Sequence, residues 1–398
     1  MAKNGFRIFD TDTHVGPSMD VLEGYMDAAE REQLAPFAEF RSTARRTGQV
    51  TYRMGARKYE RRLGKADSGL DAADRGNGGY MAGFTGAHKG REPSPAVDHD
   101  VHSRIADMDF EGVDVNLLLP SGWFGAFTTV PDVSLELAAF RAYNRWMADY
   151  CGAYPERLGG VIILSGRDID GGMEELRRCA NEAWPWGIFV YAPYGKPLDH
   201  PDFEPYWAAA QEHDLSVVLH TFTVMPPYAP GGLDTWENLW LQRSAAHPWC
   251  GMRNMASVIG SGAMDRYPNL RVGCLEAGHS WLPFWVKRLD EHAETIASAL
   301  PALQHTPSEY VQSGRYFQSI EMSEGPELTE MVAHLLGDGI LMYASDYPHG
   351  ESWFPKSVET VMGWALSDEL KQKLFWDNPL LFYRRYSGVQ SALTAARV

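Results

Sequence analysis

The sequence predicts an α/β fold, a (β/α)8 TIM barrel with an insertion after the first strand. Eight short apolar runs recur along the 398 residues, and most are followed by a longer segment with the apolar spacing of a helix. Strands that alternate with helices are typical of a parallel sheet covered by helices. Since barrels of this length often form one unit, we expect residues 1–398 to be a single domain.

Each predicted strand is a short apolar run that ends in small or polar residues. In chain order, the eight strands cover residues 6–12, 113–120, 158–164, 188–191, 216–221, 271–276, 316–319 and 340–345. Helical spacing between them predicts helices at residues 135–150, 173–183, 203–212 and 285–300. The remaining helices of the barrel are not predicted individually.

Residues 30–105 interrupt the alternation and form the predicted insertion. They include a basic run and then a glycine-rich segment, residues 71–86. The basic run consists of Arg41, Arg45, Arg46, Arg53, Arg57, Lys58, Arg61, Arg62 and Lys65. Such a run is typical of a solvated helix face, but it also suits a surface that docks a partner subunit or covers an active-site mouth.

Composition excludes several classes of protein. Lys and Arg number 36 against 52 Asp and Glu, and the net charge of −16 disfavours nucleic acid as a partner. No apolar run approaches the ~20 residues that a membrane span requires. The N-terminus lacks the apolar core of a signal peptide, and the four cysteines form no CxxC pair, so we expect a cytoplasmic protein without disulfides.

Polar residues follow three of the predicted strands. Asp12 and His14 are two apart at the end of the first strand, so their side chains point the same way; His220 ends the fifth strand and Asp346 follows the eighth. The barrel would bring these four side chains to one mouth. Imidazole and carboxylate donors without thiolates predict a divalent zinc, manganese, iron or cobalt ion rather than a closed structural zinc site.

The segment after the sixth strand adds further candidates. Glu276 is predicted to be a metal ligand or a general base. His279 is predicted to be a proton shuttle, a donor behind the metal ligands or a ligand of a second metal, and we expect it to share proton transfer with Asp346. His349 and Trp281 are predicted to contact a small-molecule substrate.

Other aromatic and histidine residues receive weaker predictions. Six aromatic residues in loops after strands either line the mouth or pack beneath a lid: Trp123, Phe124, Phe127, Trp281, Trp353 and Phe354. We expect His102, His213 and His247 to be structural. Residues 184–186, Trp-Pro-Trp, precede the fourth strand and are expected to pack at the other end of the barrel.

Several motifs together resemble the amidohydrolase-related (amidohydrolase 2) family. The motifs are Asp12-x-His14, residues 104–109 leading to residues 112–114, residues 154–158, His220, residues 266–271, Glu276-x-Gly278-x-x-Trp281 with residues 282–283, and residues 345–349. The family includes aminocarboxymuconate-semialdehyde decarboxylase, γ-resorcylate decarboxylase, and lactone and amide hydrolases. The resemblance implies a (β/α)8 barrel with a divalent metal at its mouth, held or approached by Asp12, His14, His220 and Asp346, and an oligomer of like or unlike subunits.

The sequence departs from this family at three places, one of which is the pair of additional donors His279, beside Glu276, and His349, close after Asp346. The decarboxylase branch has a catalytic histidine at the end of the sixth strand, where this chain has Glu276. Relatives with the Glu-x-Gly-x-x-Trp pattern carry a glutamate shortly after the first metal histidine, where this chain has Gly16 and Pro17.

Three hypotheses for function therefore stand. The first is a metal-dependent hydrolase or non-oxidative decarboxylase that acts on a small organic acid, amide or lactone. The second is the oxygenase component of a monooxygenase with a dinuclear non-haem centre, supplied with electrons by a reductase or ferredoxin. Seven potential donors admit a dinuclear centre, namely Asp12, His14, His220, Glu276, His279, Asp346 and His349. The oxygenase activity is what the resemblance implies, because it extends to a small group of relatives that bind such a centre and draw electrons from separate reductases. The third is a non-catalytic partner subunit that keeps a structural metal.

Overall fold

The computed structural model describes residues 5–44, 48–52, 91–193, 195–220, 239–300 and 302–388. Ten strands in these ranges form two sheets. Their bounds are β1 (Phe9–Val15), β2 (Arg41–Thr43), β3 (Val50–Tyr52), β4 (Val115–Pro120), β5 (Leu158–Ser165), β6 (Pro185–Tyr191), β7 (Ser216–Leu219), β8 (Val272–Cys274), β9 (Tyr316–Ser319) and β10 (Leu341–Met342). β2 and β3 pair as a small antiparallel hairpin, and the other eight strands form one parallel sheet in chain order.

The eight-stranded sheet curves until its two edges meet. The backbone N–H of Thr11 donates to the carbonyl of Tyr343 at 3.1 Å, and that of His14 donates to the carbonyl of Tyr347 at 2.7 Å. A further hydrogen bond of 3.0 Å runs from the N–H of Asp346 to the carbonyl of Asp12. These bonds join β1 to the chain after β10, and the predicted (β/α)8 barrel is confirmed.

Helices cover the outside of the barrel. Those in the described ranges are α1 (Met19–Leu22), α2 (Ala28–Glu32), α3 (Val101–Glu111), α4 (Val133–Gly152), α5 (Ile169–Cys179), α6 (Glu204–Glu212), α7 (Leu239–Gly260), α8 (Ala263–Arg266), α9 (Leu282–Thr295), α10 (Pro307–Gln312), α11 (Gly325–Leu336), α12 (Ser357–Met362), α13 (Asp368–Gln372) and α14 (Asn378–Phe382). α5 begins four residues before its predicted start because the Asp168 side chain accepts a hydrogen bond from Gly171 N at 3.0 Å and caps the helix.

Aromatic residues fill the end of the barrel at which the strands begin, opposite the carboxyl ends of the strands. Trp186 is completely buried, and its ring lies 5.7 Å from that of Phe9 and 5.2 Å from that of Tyr386. The packing role predicted for residues 184–186 is therefore confirmed. Phe124, Phe127 and Phe354 are also completely buried, so the packing alternative holds for them, while the side chain of Trp123 lies outside the described residues.

The insertion after β1 is described in part. It contains the β2–β3 hairpin, and Arg41 on β2 forms an ion pair with Glu23. The predicted boundary at residue 105 falls inside α3, which begins at Val101. The basic residues from Arg45 to Lys65 and the glycine-rich residues 71–86 lie outside the described ranges.

The cysteines and the helices agree with two of the expectations drawn from composition. The four cysteines are buried, and none forms a disulfide. Among the helices of the described chain, we find none with the length and apolarity to cross a membrane.

Candidate metal centre

Buried polar side chains converge at the carboxyl end of the barrel strands. Asp12 and His14 alternate along β1 and point to one side, as their spacing predicts. His220 follows β7 directly, Glu276 lies two residues beyond β8, and Asp346 lies four residues beyond β10. Each of the five residues is at most 7% exposed.

The donor atoms of these residues lie close together around His14 and His220. Nε2 of His14 is 3.3 Å from Oδ1 of Asp12 and 3.3 Å from Oδ1 of Asp346. Nε2 of His220 is 2.9 Å from Oε2 of Glu276 and 3.8 Å from Oδ2 of Asp12. Two groups of donors can be drawn, each with its atoms within 4.8 Å of one another: His14, Glu276, Asp346 and His349, and Asp12, His14 and His220.

The orientation of His14 is set by the neighbouring strand. Its Nδ1 lies 3.0 Å from the carbonyl oxygen of Pro120, the last residue of β4. Since a carbonyl only accepts, Nδ1 carries the proton, and Nε2 presents its lone pair to the carboxylates. A metal-binding histidine is commonly oriented in this way by a carbonyl behind it.

Helix α3 holds the two segments that carry the site. The guanidinium of Arg104 is fully buried, donates to the carbonyl of His14 and lies 5.0 Å from the ring of Tyr347. Asp107 accepts a hydrogen bond of 2.7 Å from the hydroxyl of Tyr347. The motif at residues 104–109 therefore positions β1 against the loop that follows β10.

Glu276 and Asp346 both adopt left-handed backbone conformations, with φ of 49° and 56°. Such a conformation costs a non-glycine residue about 1 kcal/mol or more. Hydrogen bonds compensate, because the N–H of Glu276 donates to Oγ of Ser319 at 3.1 Å and that of Asp346 donates to the carbonyl of Asp12. Strained residues of this kind cluster at functional sites.

The two carboxyl groups have opposite electrostatic environments. Burial raises the pKa of Glu276, but His247, His220 and Arg243 outweigh it and hold that pKa well below its usual range. Burial raises the pKa of Asp346 well above its usual range, and the charge of Glu276 raises it further. In the site without a bound cation, Glu276 therefore favours its ionised form and Asp346 its protonated form.

The residues present fit a divalent metal. Oδ1 of Asp12 and Oδ2 of Asp346 are buried, and neither accepts a hydrogen bond from any described residue. Buried carboxylate oxygens are normally satisfied, so unfilled acceptors beside two imidazoles indicate a place for a cation. This mixture of carboxylate and imidazole donors suits manganese, zinc, iron or cobalt.

The residues predicted to contact substrate have different surroundings. The ring of His349 stacks on that of His14 with centroids 4.1 Å apart, and its Nδ1 lies 2.7 Å from Oδ1 of Asp346. Burial lowers the pKa of His349 well below its usual range. By contrast, the indole N–H of Trp281 donates to the carbonyl of Ala277 at 2.7 Å, so this ring braces its own loop.

His279 is not brought to the donors. It is completely buried, with Nε2 2.9 Å from Oγ1 of Thr329 and Nδ1 2.8 Å from Oε2 of Glu324. Glu324 also accepts hydrogen bonds from the backbone of His279 and Ser280. These contacts tie the loop after β8 to the start of α11, a placement that does not favour the predicted role in proton transfer.

Sequence reasoning missed the contribution of α7. Nδ1 of His247 lies 3.3 Å from Oε1 of Glu276, and burial lowers the pKa of this histidine to about 3. Nη2 of Arg243 lies 2.9 Å from the same oxygen and also pairs with Glu351. The sequence led us to expect a structural role for His247 and did not predict its contact with Glu276. Its spacing of four residues from Arg243 is the signal that would have placed both on one helix face.

The fold and this donor set define a class of protein. The sequence profile of the amidohydrolase family matches residues 97–385, and the chain belongs to that family. It is therefore an enzyme of the amidohydrolase superfamily, and the hypothesis of a non-catalytic partner subunit is wrong.

Two of the relatives that this chain resembles in sequence are decarboxylases. The 2-amino-3-carboxymuconate-6-semialdehyde decarboxylase of Dictyostelium discoideum is 26% identical over 290 residues, which cover 72% of this chain and 76% of the relative. The gamma-resorcylate decarboxylase of Rhizobium sp. (strain MTP-10005) is 25% identical over 275 residues, covering 63% and 79%.

Solved structures show the same fold. The 5-carboxyvanillate decarboxylase of Novosphingobium aromaticivorans, complexed with manganese and 4-hydroxy-3-methoxy-5-nitrobenzoic acid, superimposes with a TM-score of 0.66 at 20% identity, covering 96% of this chain and 97% of that one. An amidohydrolase of Mycobacterium avium subsp. paratuberculosis gives a TM-score of 0.67 at 20% identity, covering 95% and 99%. The relatives named here give no support to the monooxygenase hypothesis or to its reductase or ferredoxin partner.

Proposed function

We propose that this protein is a metal-dependent, non-oxidative decarboxylase of a small aromatic carboxylic acid. The observation that carries the proposal is the buried cluster of Asp12, His14, His220, Glu276 and Asp346, in which Oδ1 of Asp346 also lies 2.7 Å from Nδ1 of His349. The decarboxylase names of the relatives support the same reaction class.

The residues that would hold the metal are Asp12, His14, His220 and Asp346, with Glu276 as a further ligand. When bound, a divalent ion supplies positive charge that fixes an anionic substrate and withdraws electron density from it. Asp12 and Asp346 contribute oxygens that no described residue satisfies, and His14 contributes an Nε2 already aimed at both carboxylates.

Asp346 is the proposed proton donor. In decarboxylation, a proton is added at the ring carbon that bears the carboxylate, the bond from that carbon to the carboxylate breaks, and its electron pair stays with the ring as carbon dioxide leaves. The donor must therefore receive a proton before each turnover, and Oδ1 of Asp346 lies 2.7 Å from Nδ1 of His349, which can supply one. In the site without a cation, burial and the charge of Glu276 also raise the pKa of Asp346. Glu276 stands where the decarboxylase branch has histidine, and as a carboxylate it cannot donate.

His349 would restore the proton. Its Nδ1 lies 2.7 Å from Oδ1 of Asp346, and 24% of its side chain is exposed. It is therefore placed to pass a proton from solvent to the carboxylate that remains after each turnover. The stacking of its ring on His14 keeps that geometry.

Hydrolysis of a lactone or amide is the second candidate. It is favoured by one observation, the ionised Glu276, because a carboxylate at this position can take a proton from an attacking water. Both reactions use the same metal residues, so the substrate decides between them.

The test is a carbon dioxide assay on metal-free and manganese-loaded protein, with and without oxygen. The substrates would be 2,6-dihydroxybenzoate and 5-carboxyvanillate, compared with a panel of lactones and amides. We expect manganese-dependent release of carbon dioxide that is independent of oxygen, with one solvent deuterium incorporated at the decarboxylated carbon in D2O. Metal-dependent opening of a lactone or amide, without carbon dioxide from any acid, would replace this proposal with hydrolysis.

A further inference from the structure

One face of α7 contacts Glu276. Arg243, His247 and Gly251 follow at intervals of four residues and therefore lie on the same side of the helix. Nη2 of Arg243 and Nδ1 of His247 lie 2.9 Å and 3.3 Å from one atom, Oε1 of Glu276. Helix α7 thus reaches the candidate metal centre at Oε1 of Glu276.

Gly251 explains how the helix comes so close. A Cβ at this position would lie 2.7 Å from Cβ of Ala277 and 3.1 Å from Sγ of Cys274, and a Cβ contact under 3.0 Å essentially never occurs in proteins. Only glycine therefore allows α7 to pack against the chain between β8 and Ala277 at this distance. The close approach brings His247 to Glu276, the residue before Ala277.

The two oxygens of Glu276 have different partners. Oε1 faces Arg243 and His247, whereas Oε2 lies 2.9 Å from Nε2 of His220 and 4.0 Å from Nε2 of His14. Glu276 itself has the left-handed φ of 49°. The carboxylate of this strained residue is therefore held from α7.

His247 and Arg243 differ in what they hold. Arg243 contacts both Glu276 and Glu351, and 20% of its side chain is exposed. His247 contacts Oε1 of Glu276 and is 8% exposed. The histidine is therefore the better placed of the two to fix the direction of the carboxylate.

We propose that His247 is a positioning residue that ties Oε1 of Glu276 to α7 and so presents Oε2 to the metal position beside His14 and His220. The inference rests on the metal site of the proposed function. It concerns metal affinity alone and not the reaction that follows.

Metal binding without substrate tests the proposal. Manganese would be titrated into the metal-free full-length chain by calorimetry, with the bound ion followed by electron paramagnetic resonance. We expect His247→Ala to raise the dissociation constant about 10–100-fold, the usual loss when a group that supports a metal ligand is removed. Gly251→Ala should raise it in the same direction, because the added methyl group displaces α7. The matched control is His292→Ala, which removes a histidine on α9 whose Nδ1 lies 3.2 Å from Glu291.

Two conservative variants keep the proposal falsifiable if His247→Ala does not fold. The amide nitrogen of asparagine can occupy the place of Nδ1, whereas the longer glutamine places its amide near Nε2. We therefore expect His247→Asn to restore manganese binding and His247→Gln to bind weakly. Wild-type manganese affinity in both His247→Asn and His247→Gln would overturn the inference. Wild-type affinity in both His247→Ala and Gly251→Ala would overturn it as well. If the wild type decarboxylates no acid, that outcome counts against the proposed function. The manganese affinities of the variants would still decide whether His247 positions Glu276.

Discussion

Glu276 and Asp346 offer oxygens that lie within 4.8 Å of one another, yet their pKa values move in opposite directions. The difference lies in their neighbours. Two histidines and Arg243 surround Glu276 and outweigh its burial, whereas Asp346 is buried with Glu276, Glu351 and Asp12 as the main nearby charges. Pairs of carboxyl groups separated in this way are typical of sites where one group carries a proton and the other a charge.

Replacement of Asp346 by asparagine should abolish proton donation. We expect Asp346→Asn to lower kcat by about 10²–10⁴-fold, the usual contribution of a positioned acid, because an amide carries no transferable proton. The rate of carbon dioxide release would be measured at saturating manganese, with metal content determined in parallel. Asp170→Asn, on the exposed start of α5, is the control and should keep the wild-type rate. A metal-loaded Asp346→Asn enzyme with the wild-type rate would assign the proton to another group.

His279 should matter for stability more than for turnover. Its ring nitrogens are engaged by Thr329 and Glu324, so we expect His279→Ala to lower the midpoint of thermal unfolding. The substitution should reduce kcat far less than Asp346→Asn does. Unfolding followed by circular dichroism and a steady-state assay check the two parts. A collapse of kcat with an unchanged midpoint would restore the proton-transfer role that the sequence suggests for His279.

Glu136 makes the stability of the folded chain depend on pH. Burial raises its pKa from 4.5 to about 7, against the lowering effect of Arg167. Because the folded state then binds this proton more tightly than the unfolded state, the contribution of Glu136 is greatest below pH 4.5 and is lost as the pH rises through 7.

Urea unfolding at pH 5, 6.5 and 8 tests this dependence. We expect the free energy of unfolding of the wild type to fall relative to that of Glu136→Gln as pH rises, by up to about 3 kcal/mol. Glu174→Gln, at an exposed position of α5, should instead keep the wild-type pH dependence. If the free energies of unfolding of the wild type and of Glu136→Gln change with pH in the same way, Glu136 has the same pKa in the folded and the unfolded state.

Two glycines should respond oppositely to alanine. A Cβ on Gly159 of β5 would lie 2.1 Å from the ring of Trp186, whereas a Cβ on Gly152 at the end of α4 meets nothing within 4 Å. We expect Gly159→Ala to destabilise the fold by about 1–3 kcal/mol through overpacking. Gly152→Ala should stabilise it by about 0.4–1 kcal/mol, because alanine has less freedom to lose on folding. Chemical denaturation measures the free energy of unfolding of both variants. Equal changes in Gly159→Ala and Gly152→Ala would contradict the close packing of Trp186 against Gly159 of β5.

Arg104 should not tolerate lysine. Its fully buried guanidinium bonds to the carbonyl of His14 and to Oγ1 of Thr13, and a single ammonium cannot reproduce that fork. We expect Arg104→Lys to cost about 1–3 kcal/mol of unfolding free energy and to weaken manganese binding. Arg91→Lys, whose side chain is 50% exposed, is the control. Wild-type stability and affinity in Arg104→Lys would show that α3 does not position β1.

The barrel and most of the candidate metal donors were predictable because they depend on local periodicity. Apolar runs mark strands, and parallel strands place the residues at their ends in one mouth, so Asp12, His14, His220, Glu276 and Asp346 were found from their positions alone. The predicted start of α5 was less accurate, because the cap at Asp168 begins the helix before the apolar spacing does.

Only the tertiary structure decided which neighbours these residues have. His279 lies three residues after Glu276, yet its ring points to Thr329 and Glu324, whereas His247, far away in the sequence, reaches Glu276 because Gly251 lets α7 approach. The sequence by itself determined the fold class and the chemistry of the donors, since both follow from residue type and spacing along a strand. Which carboxyl group is charged, which holds a proton and which histidine supports the site depend on distances between separate elements, and packing alone sets those distances.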